Sequence, residues 1–326
     1  LAPSHAFVVA DEQVAAHWLA PLRKELDGAS VPHSVLMLPN GEQHKHLATV
    51  TTIWDHLLAE GADRSAVVVA LGGGVTGDLA GFAAATALRG LRVVQLPTSL
   101  LAMVDASVGG KTGFNHTQGK NLIGAFHQPN WVGCDPTVLS TLASRERVAG
   151  LAEVVKVALT LDAELFSWLE RDAAALRAGD ITALQPVIAR AVGLKATVVA
   201  RDEREGGLRR VLNFGHTVGH AIERVTQYTR YRHGEAVALG MVASLAASLA
   251  AGCCDAPFVT RAVALLHALG LPTTLPADID RAAVRAALAH DKKRAAAGVR
   301  FILCAGPGRH AERWLALDAI PLELED

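Results

Sequence analysis

The sequence has few aromatic residues and no surplus of charge of either sign. Only 5% of its 326 residues are Phe, Trp or Tyr although 51% are hydrophobic, so the core must be built from Ala, Val and Leu. The 31 Lys and Arg residues are balanced by 32 Asp and Glu residues. This balance argues against nucleic acid and anionic membranes as partners, and leaves open a local basic pocket.

Cysteine and long apolar runs are also scarce. The four Cys residues follow no Cys-x-x-Cys spacing, which is typical of reduced thiols in a cytoplasmic protein rather than of a disulfide framework. We find no apolar run approaching the ~20 residues of a membrane span, and no signal peptide. Because the chain begins with Leu1 rather than Met, we expect that N-terminal residues, and with them an opening strand, are missing.

Hydrophobic patterning divides the sequence into two halves. Short β-branched runs predict buried strands at 6–10, 34–39, 66–71 and 92–97, with helices at 12–27 and 47–60. This alternation indicates a parallel sheet with helices on both faces. The remainder predicts helices at 144–177, 181–200, 215–227, 233–251, 257–269 and 278–290, with one strand at 299–304. We therefore predict an α/β half followed by an all-α half, joined at 136–144, with the active site in the cleft between them.

A glycine-rich loop, "LGGGVTGD", follows the predicted strand at 66–71. Gly72, Gly74 and Gly77 satisfy the G-x-G-x-x-G pattern, in which a helix N-terminus receives a pyrophosphate. The acidic ribose partner expected about 20 residues later is missing, since 92–98 reads "RVVQLPT". The alternative is a tight glycine turn that packs a helix against a strand.

A second loop, "VDASVGGKTGFNHTQGKN" at 104–121, is too polar and glycine-rich to be core. Its "GGKT" is not an ATP-binding loop, because Asp105 stands where that motif needs its first glycine. Asp105, Lys111, Lys120 and Asn121 then lie on one flexible segment, where the lysines suit a phosphate or carboxylate. The alternative is a solvated surface loop.

His216 and His220 are four residues apart, which puts them on one face of a helix. Thr217 stands where a zinc protease has its catalytic Glu, so that activity is disfavoured. Glu153 lies in the apolar "GLAEVVK", and His233 begins "HGEAVALGM". Two imidazoles and one carboxylate form a catalytic zinc set. The spacing leaves both His220 and His233 open as the third ligand, and an exposed Glu153 with structural histidines remains the alternative.

Five segments resemble the 3-dehydroquinate synthase family in order and spacing. They are "GGGVTGDLAGFAAATALRG", "PTSLLAMVDASVGGKTGFNHTQGKNLIGAF", "GLAEVVK", "DEREGGLRRVLNFGHTVGHAIE" and "HGEAVALGMV". The likeness extends from about Asp11 to "DKK" at 291–293. It implies a Rossmann-like NAD-binding domain at 1–143, a helical metal- and substrate-binding domain at 144–326, and a homodimer.

The resemblance also implies an activity in the shikimate pathway. A lyase of this family converts 3-deoxy-D-arabino-heptulosonate 7-phosphate, a sugar phosphate, to 3-dehydroquinate and phosphate. The reaction proceeds by transient NAD oxidation, phosphate elimination, re-reduction, ring opening and aldol cyclisation. The implied cofactors are NAD and zinc, with cobalt as a second possible metal.

The family's motifs assign roles to residues of this chain. The implied metal ligands are Glu153, His216 and His233, and His220 becomes a catalytic, phosphate-facing partner. The implied phosphate and carboxylate contacts are Arg89, Lys111, Asn121, Asn213, His220 and, in preference to Lys293, Lys292. Hydroxyl, carboxylate and charge-balancing roles fall to Asp105, Lys156, Lys195 and Arg209, with Glu205 as a further acid–base candidate. Arg89 is expected to act across a dimer interface.

The implied cofactor contacts lie mostly in the first half of the chain. They are Asp11, Glu42, Lys45, Gly74, Val75, Gly77, Asp78, Thr98, Ser99, Lys120, Leu139 and Thr141. Glu42 is a candidate for the ribose contact that the glycine loop lacks. The chain departs from the family at Gln13, where Asn is frequent, and at Arg232, which we expect to point away from the metal ligands.

Three alternatives differ in what they require. A related sugar-phosphate cyclase is expected to differ within 104–126, where this chain keeps "GGKTGFNH" and "GKNLIGAF". An NAD- and metal-dependent polyol dehydrogenase has no need of Lys111, Asn121, Lys195 and Arg209 together. An inactive relative is disfavoured because every matched metal and phosphate position is intact.

Overall fold

The structure, a computed structural model, describes residues 2–290 and 298–323. The chain divides into two units, Leu1–Leu142 and Ala143–Asp326. The first unit contains a five-stranded sheet of β1 (Ala6–Asp11), β2 (His33–Leu38), β3 (Val67–Gly72), β4 (Arg92–Pro97) and β7 (Trp131–Val132). Its strand order is β2-β1-β3-β4-β7, and all pairs are parallel, which confirms the predicted parallel sheet.

Helices cover both faces of this sheet. They are α1 (Glu12–Gly28), α2 (Leu47–Ala59) and α3 (Gly74–Thr86). Alternate side chains of β1 point to opposite faces, so that Phe7 packs with α2 and α3 while Val8 packs with Trp18 and Leu22 of α1. Burial on both faces explains why β1 and β3 are almost uninterrupted apolar runs.

The segment expected to be a flexible loop is ordered instead. It carries a π-helix at Ala102–Ala106 and then an antiparallel hairpin of β5 (Lys111–His116) and β6 (Gly119–Phe126). Phe114 anchors the hairpin, because its buried ring packs against Phe82 of α3 with centroids 5.3 Å apart. Gly113 and Gly124 face each other across the ladder, where a side chain would collide with the opposite backbone. The glycines therefore permit close strand pairing rather than flexibility.

The second unit is mainly helical. Its helices are α4 (Ser144–Leu161), α5 (Ala163–Ala178), α6 (Ile181–Arg201), α7 (His216–Val225), α8 (His233–Ala250), α9 (Ala256–Ala268) and α10 (Arg281–His290). The single helix predicted at 144–177 is wrong, because Asp162 interrupts it. This residue is extended (φ −151°, ψ 101°), and its carboxylate accepts from the backbone N–H groups of Glu164 and Leu165. Asp is among the best N-cap residues, so it starts α5 here.

One strand of the second unit was not anticipated. The predicted strand β8 (Val299–Cys304) pairs with β9 (His310–Leu315) in an antiparallel hairpin. The residues of β9, "HAERWL", are largely exposed, so they lack the apolar alternation that identifies a half-buried strand.

Two helices exceed the apolar length expected from the sequence. Both α6 and α8 contain an 18-residue window of mean hydropathy 1.3, which by length and composition alone suffices to cross a membrane. The buried share of this window is 72% in α8 and 39% in α6. The value for α8 is typical of the core helix of a globular domain. All four cysteines are free, in agreement with the spacing.

Helices α7 and α8 cross at very short range because glycines line the crossing. A Cβ on Gly240 would overlap the carbonyl oxygen of Gly215, and one on Gly219 would lie 3.0 Å from that of Ala236. This close approach brings the rings of His216 and His233, two of the candidate metal ligands, to within 5.3 Å of each other.

We predict that Gly240→Ala destabilises the second unit by about 2–3 kcal/mol, because the added methyl forces the α7–α8 backbones apart. Gly193 on α6 provides the matched control, since nothing lies within 4 Å of its would-be Cβ. There, Ala should stabilise the helix by about 0.5–1 kcal/mol. Urea unfolding midpoints of both variants test this, and equal effects would contradict the assigned role of Gly240.

Candidate active site

Three helices of the second unit bring the candidate metal ligands together. Glu153 lies in the middle of α4, whereas His216 and His233 are the first residues of α7 and α8. The Nε2 atoms of His216 and His233 each lie 3.6 Å from Oε1 of Glu153. Ligands of a tetrahedral zinc ion at about 2.1 Å are about 3.4 Å apart, so this spacing fits the metal.

The Glu153 carboxylate supports the same interpretation. Its Oε1 atom is buried and accepts no hydrogen bond, although a buried carboxylate oxygen is expensive to leave unsatisfied. Its Oε2 atom forms an ion pair with Lys156, one helical turn further along α4. One oxygen is thus neutralised by the protein, and the other faces two imidazoles as a metal ligand would.

The electrostatics of this cluster favour a bound cation. Burial opposes ionisation of Glu153, yet Lys156 and the two imidazoles hold its pKa well below the usual range. Burial, reinforced by Lys156, also holds the pKa of His216 well below its usual range, so this imidazole is neutral. Burial acts against protonation of His233, but the neighbouring carboxylates of Glu153 and Glu223 raise its pKa to about 10. The two carboxylates therefore attract positive charge to this point.

His220 occupies a different position from the other two histidines. Its ring lies 5.3 Å from that of His216 and 5.9 Å from that of His233, and the residue is exposed. The three-donor group built on Glu153 contains His216 and His233 but not His220. Geometry thus favours His233, which the spacing alone did not distinguish from His220.

Glu223 is a further residue of this cluster, and the sequence motifs did not predict it. Its buried carboxylate accepts from Nδ1 of His233 at 3.3 Å. Glu223 follows His216 by seven residues and His220 by three, so helical spacing places all three on one face of α7. That spacing was the available signal, and "HTVGHAIE" contains it.

Further candidate residues surround the turn between α6 and α7. Lys195 and Arg209 are buried cations, 5% and 3% exposed. The guanidinium of Arg209 donates to the carbonyl oxygen of Glu203, and its backbone N–H donates to Asp202. The Asn213 amide donates to Oε1 of Glu205 at 2.6 Å. The turn therefore holds a buried cation and an amide–carboxylate pair in fixed positions.

In the first unit, the glycine loop leads directly into α3. Gly73 caps this helix without any side-chain hydrogen bond, so its first N–H groups are available to an anion. The strand order reverses between β1 and β3, and ligands of such sheets bind at this point. Gly77 has a packing role, because a Cβ there would lie 2.7 Å from Oε1 of Gln95 on β4. A pyrophosphate therefore fits this helix N-terminus.

A polar cluster lies beside that helix. The ammonium of Lys45 donates to Asp78 at 2.5 Å and to Asn121 at 2.6 Å. Burial raises the pKa of Asp78, and Lys45 opposes the rise. Glu42 accepts from Asn115 at 2.7 Å and lies 3.9 Å from the ammonium of Lys120. The structure thus groups four candidate cofactor residues with Asn121, which the resemblance assigns to substrate.

The remaining candidates of the first unit lie at strand ends, in helices and in the segments that connect them. Asp11 ends β1, caps α1 and accepts from Asn40 at 2.8 Å. Thr98 and Ser99 follow β4, Asp105 lies in the π-helix, Lys111 begins β5, and Val75 lies in the first turn of α3. Leu139 is buried, and Thr141 accepts from the Trp18 indole at 2.9 Å. Gln13 is exposed in the first turn of α1.

Arg89 lies away from the glycine loop of its own unit. Arg89 follows the far end of α3, which separates it from Gly74 by a helix of about 20 Å. Lys292 lies outside the described residues, as does Lys293. Arg232 is half-exposed and pairs with Glu146 at 2.7 Å, so its guanidinium is engaged away from the ligand set.

Comparison with known proteins connects both units to one family. Residues 35–149 match the family described as 3-dehydroquinate synthase N-terminal, and residues 150–294 match 3-dehydroquinate synthase C-terminal. The chain is 48% identical over 316 residues to a 3-dehydroquinate synthase of Citrifermentans bemidjiense, covering 97% of this chain and 87% of that protein.

Two solved structures share the architecture. One is a 2-epi-5-epi-valiolone synthase of Streptomyces hygroscopicus subsp. jinggangensis 5008 with NAD+ and Zn2+ bound (TM-score 0.91, 32% identity, 98% of this chain and 89% of that chain). The other is a 2-deoxy-scyllo-inosose synthase complexed with carbaglucose-6-phosphate, NAD+ and Co2+ (TM-score 0.89, 29% identity, the same coverage). From the two family matches and the high identity, the chain belongs to the 3-dehydroquinate synthase family.

Proposed function

We propose that this chain is a 3-dehydroquinate synthase, which converts 3-deoxy-D-arabino-heptulosonate 7-phosphate to 3-dehydroquinate and phosphate. The observation that carries the proposal is the unsatisfied Oε1 of Glu153 between the Nε2 atoms of His216 and His233. Identity of 48% to a synthase over 97% of the chain supports the same activity.

Glu153, His216 and His233 would hold a zinc ion, or a cobalt ion in its place. Bound there, the metal would supply a Lewis acid that polarises a substrate hydroxyl. The buried Lys156 keeps Glu153 ionised and so keeps the ligand set ready for a divalent cation.

The first unit would hold NAD, which supplies a reversible hydride acceptor. The N-terminus of α3, with Gly74, Val75 and Gly77, would receive the pyrophosphate. Asp11 and Glu42 offer carboxylates for hydroxyl groups, and Lys45, held by Asp78, offers a positive charge. The hydrogen bonds among these side chains fix them before the cofactor arrives.

The substrate carries a phosphate and a carboxylate, and the second unit offers cations for both. Lys195 and Arg209 are buried on adjoining elements, where a positive charge interacts strongly with an anion. His220, exposed beside the metal ligands, would donate a hydrogen bond to the phosphate. Glu205, held by the Asn213 amide, would exchange a proton with a substrate hydroxyl.

A cyclase acting on another sugar phosphate is the second candidate, because both solved relatives above are synthases of other names, and one was solved with carbaglucose-6-phosphate. It is less favoured, since identity to those proteins is 32% and 29%, against 48% to the synthase. The polyol dehydrogenase alternative is also less favoured, because such an enzyme has no need for the phosphate-binding cations.

We predict that the enzyme, supplied with zinc and catalytic NAD, releases one phosphate per heptulosonate phosphate without net NADH formation. Phosphate release and NADH absorbance, followed together, test this. Accumulating NADH without phosphate would indicate a dehydrogenase instead. Binding of both cofactors without either signal would indicate another cyclase substrate.

We predict that His216→Ala loses the metal, whereas His220→Ala retains it and loses turnover. The reason is that Nε2 of His216 faces Glu153, while His220 stands outside this group. Metal content after gel filtration, measured by elemental analysis, separates the two roles. Equal zinc content in both variants would refute the division.

We propose that the protein is a cytoplasmic homodimer in which Arg89 completes the partner's site. Its separation from Gly74 by the length of α3 supports a role outside its own site, and the exposed Trp131 and Leu122 offer apolar surface for a second copy. The free thiols favour the cytoplasm.

Arg89→Ala and His216→Ala should each be inactive alone and regain activity when unfolded and refolded together. Half of the dimers are then mixed, and each has one intact site, so about a quarter of wild-type activity is expected. A refolded mixture that stays inactive, while refolded wild type is active, would place Arg89 in its own chain's site.

A further inference from the structure

We infer that Glu223 is a positioning residue that orients the metal ligand His233 and strengthens metal binding. The inference rests on the proposed function, because it takes Glu153, His216 and His233 as the metal ligands. It adds a carboxylate that does not touch the ion and acts through the far nitrogen of one ligand.

The position of Glu223 follows from the geometry of α7 and α8. His216, His220 and Glu223 lie on one face of α7, and the glycine-lined crossing brings the first residue of α8 against this face. The Nδ1 atom of His233 then lies 3.3 Å from Oε2 of Glu223, and its Nε2 atom lies 3.6 Å from Oε1 of Glu153. The two ring nitrogens of His233 thus face two different carboxylates.

Each of the two metal-binding imidazoles has an acceptor at Nδ1. For His216 this is the backbone carbonyl oxygen of Phe214 at 3.2 Å, which the chain holds in place. For His233 it is the Glu223 side chain. An acceptor at Nδ1 retains the proton there, leaves Nε2 free for a metal and fixes the ring plane. A carboxylate also increases the basicity of the ring, and so strengthens its bond to the metal.

The burial of Glu223 supports a functional reason for the carboxylate. It is only 4% exposed, within a helix whose neighbouring positions Ala221 and Ile222 are apolar. Burial of a carboxylate is costly unless cations or hydrogen-bond donors compensate it. A cation bound at the opposite nitrogen of His233 would provide such compensation across the ring.

A competing interpretation makes Glu223 a direct ligand. Donor atoms of His220, Glu223 and His233 also lie within 4.8 Å of one another, so two three-donor groups share His233. The group built on Glu153 is favoured because its unsatisfied, buried Oε1 has both imidazole Nε2 atoms equally near. Substitution of each glutamate separates the two interpretations.

The test measures zinc affinity of the full chain by competition with a chromophoric chelator, after the resident metal is removed. Glu223→Ala should weaken binding about 10–100-fold, whereas Glu223→Gln, which keeps an oxygen acceptor, should weaken it less than Glu223→Ala does. Glu153→Gln should abolish binding. Glu170→Ala, which removes a carboxylate of α5 paired with Arg261 of α9, is the control and should match wild type. Urea midpoints identify folding defects, and the isosteric Gln variant keeps the test valid if the Ala variant is unstable.

The outcomes are distinct. If folded Glu223→Ala binds zinc within twofold of the wild-type affinity, the inference is overturned while the proposed function stands. If that variant is unstable, unchanged zinc affinity in Glu223→Gln has the same meaning. Loss of binding in Glu223→Gln with retention in Glu153→Gln would make Glu223 a ligand and overturn both. If wild type fails to bind zinc, or His216→Ala binds as tightly as wild type, the metal site of the proposed function fails and the inference with it. A cobalt-loaded Glu223→Gln with the wild-type absorption spectrum would support an unchanged ligand set.

Discussion

The buried carboxylate of Glu153 is the constraint on which the helical unit depends. A carboxylate that is 2% exposed remains ionised only if positive charge lies close to it, and Lys156 supplies one such charge from the same helix. Its other oxygen, Oε1, lies 3.6 Å from the imidazoles of His216 on α7 and His233 on α8. The packing of the three helices therefore also brings together the groups that compensate the Glu153 charge and that we propose as metal ligands.

This arrangement requires the backbones of α7 and α8 to approach to a separation that only glycine permits. Gly219 and Gly240 have no side chain that would separate α7 from α8. The cost of these glycines is a lower intrinsic stability of the helices. In the first unit, Gly77 plays a similar part by seating α3 against Gln95 of β4. In both units, a glycine allows a helix to pack closely against its neighbour, and the N-terminus of that helix carries residues of a proposed binding site.

The sequence predicted the elements with strong local signals and missed those set by tertiary contacts. The strands around Val8 and Val68 were found because continuous β-branched runs are typical of buried parallel strands. The helix break at Asp162 and the hairpin anchored by Phe114 were missed, since one capping carboxylate and one aromatic contact leave little periodic trace. Spacing could not choose between His220 and His233, because that choice depends on the α7–α8 crossing. The remaining site assignments came from family resemblance and stay proposals.

His216 and His233 are each the first residue of a helix, α7 and α8 respectively. This position has an electrostatic consequence. The peptide dipoles of a helix sum to about half a positive charge at its N-terminus. Two such macrodipoles therefore begin at the proposed ligand set and add to the field of the ion. They would favour negative charge on an oxygen beside His216 and His233 more strongly than the side chains of the ligand set would alone.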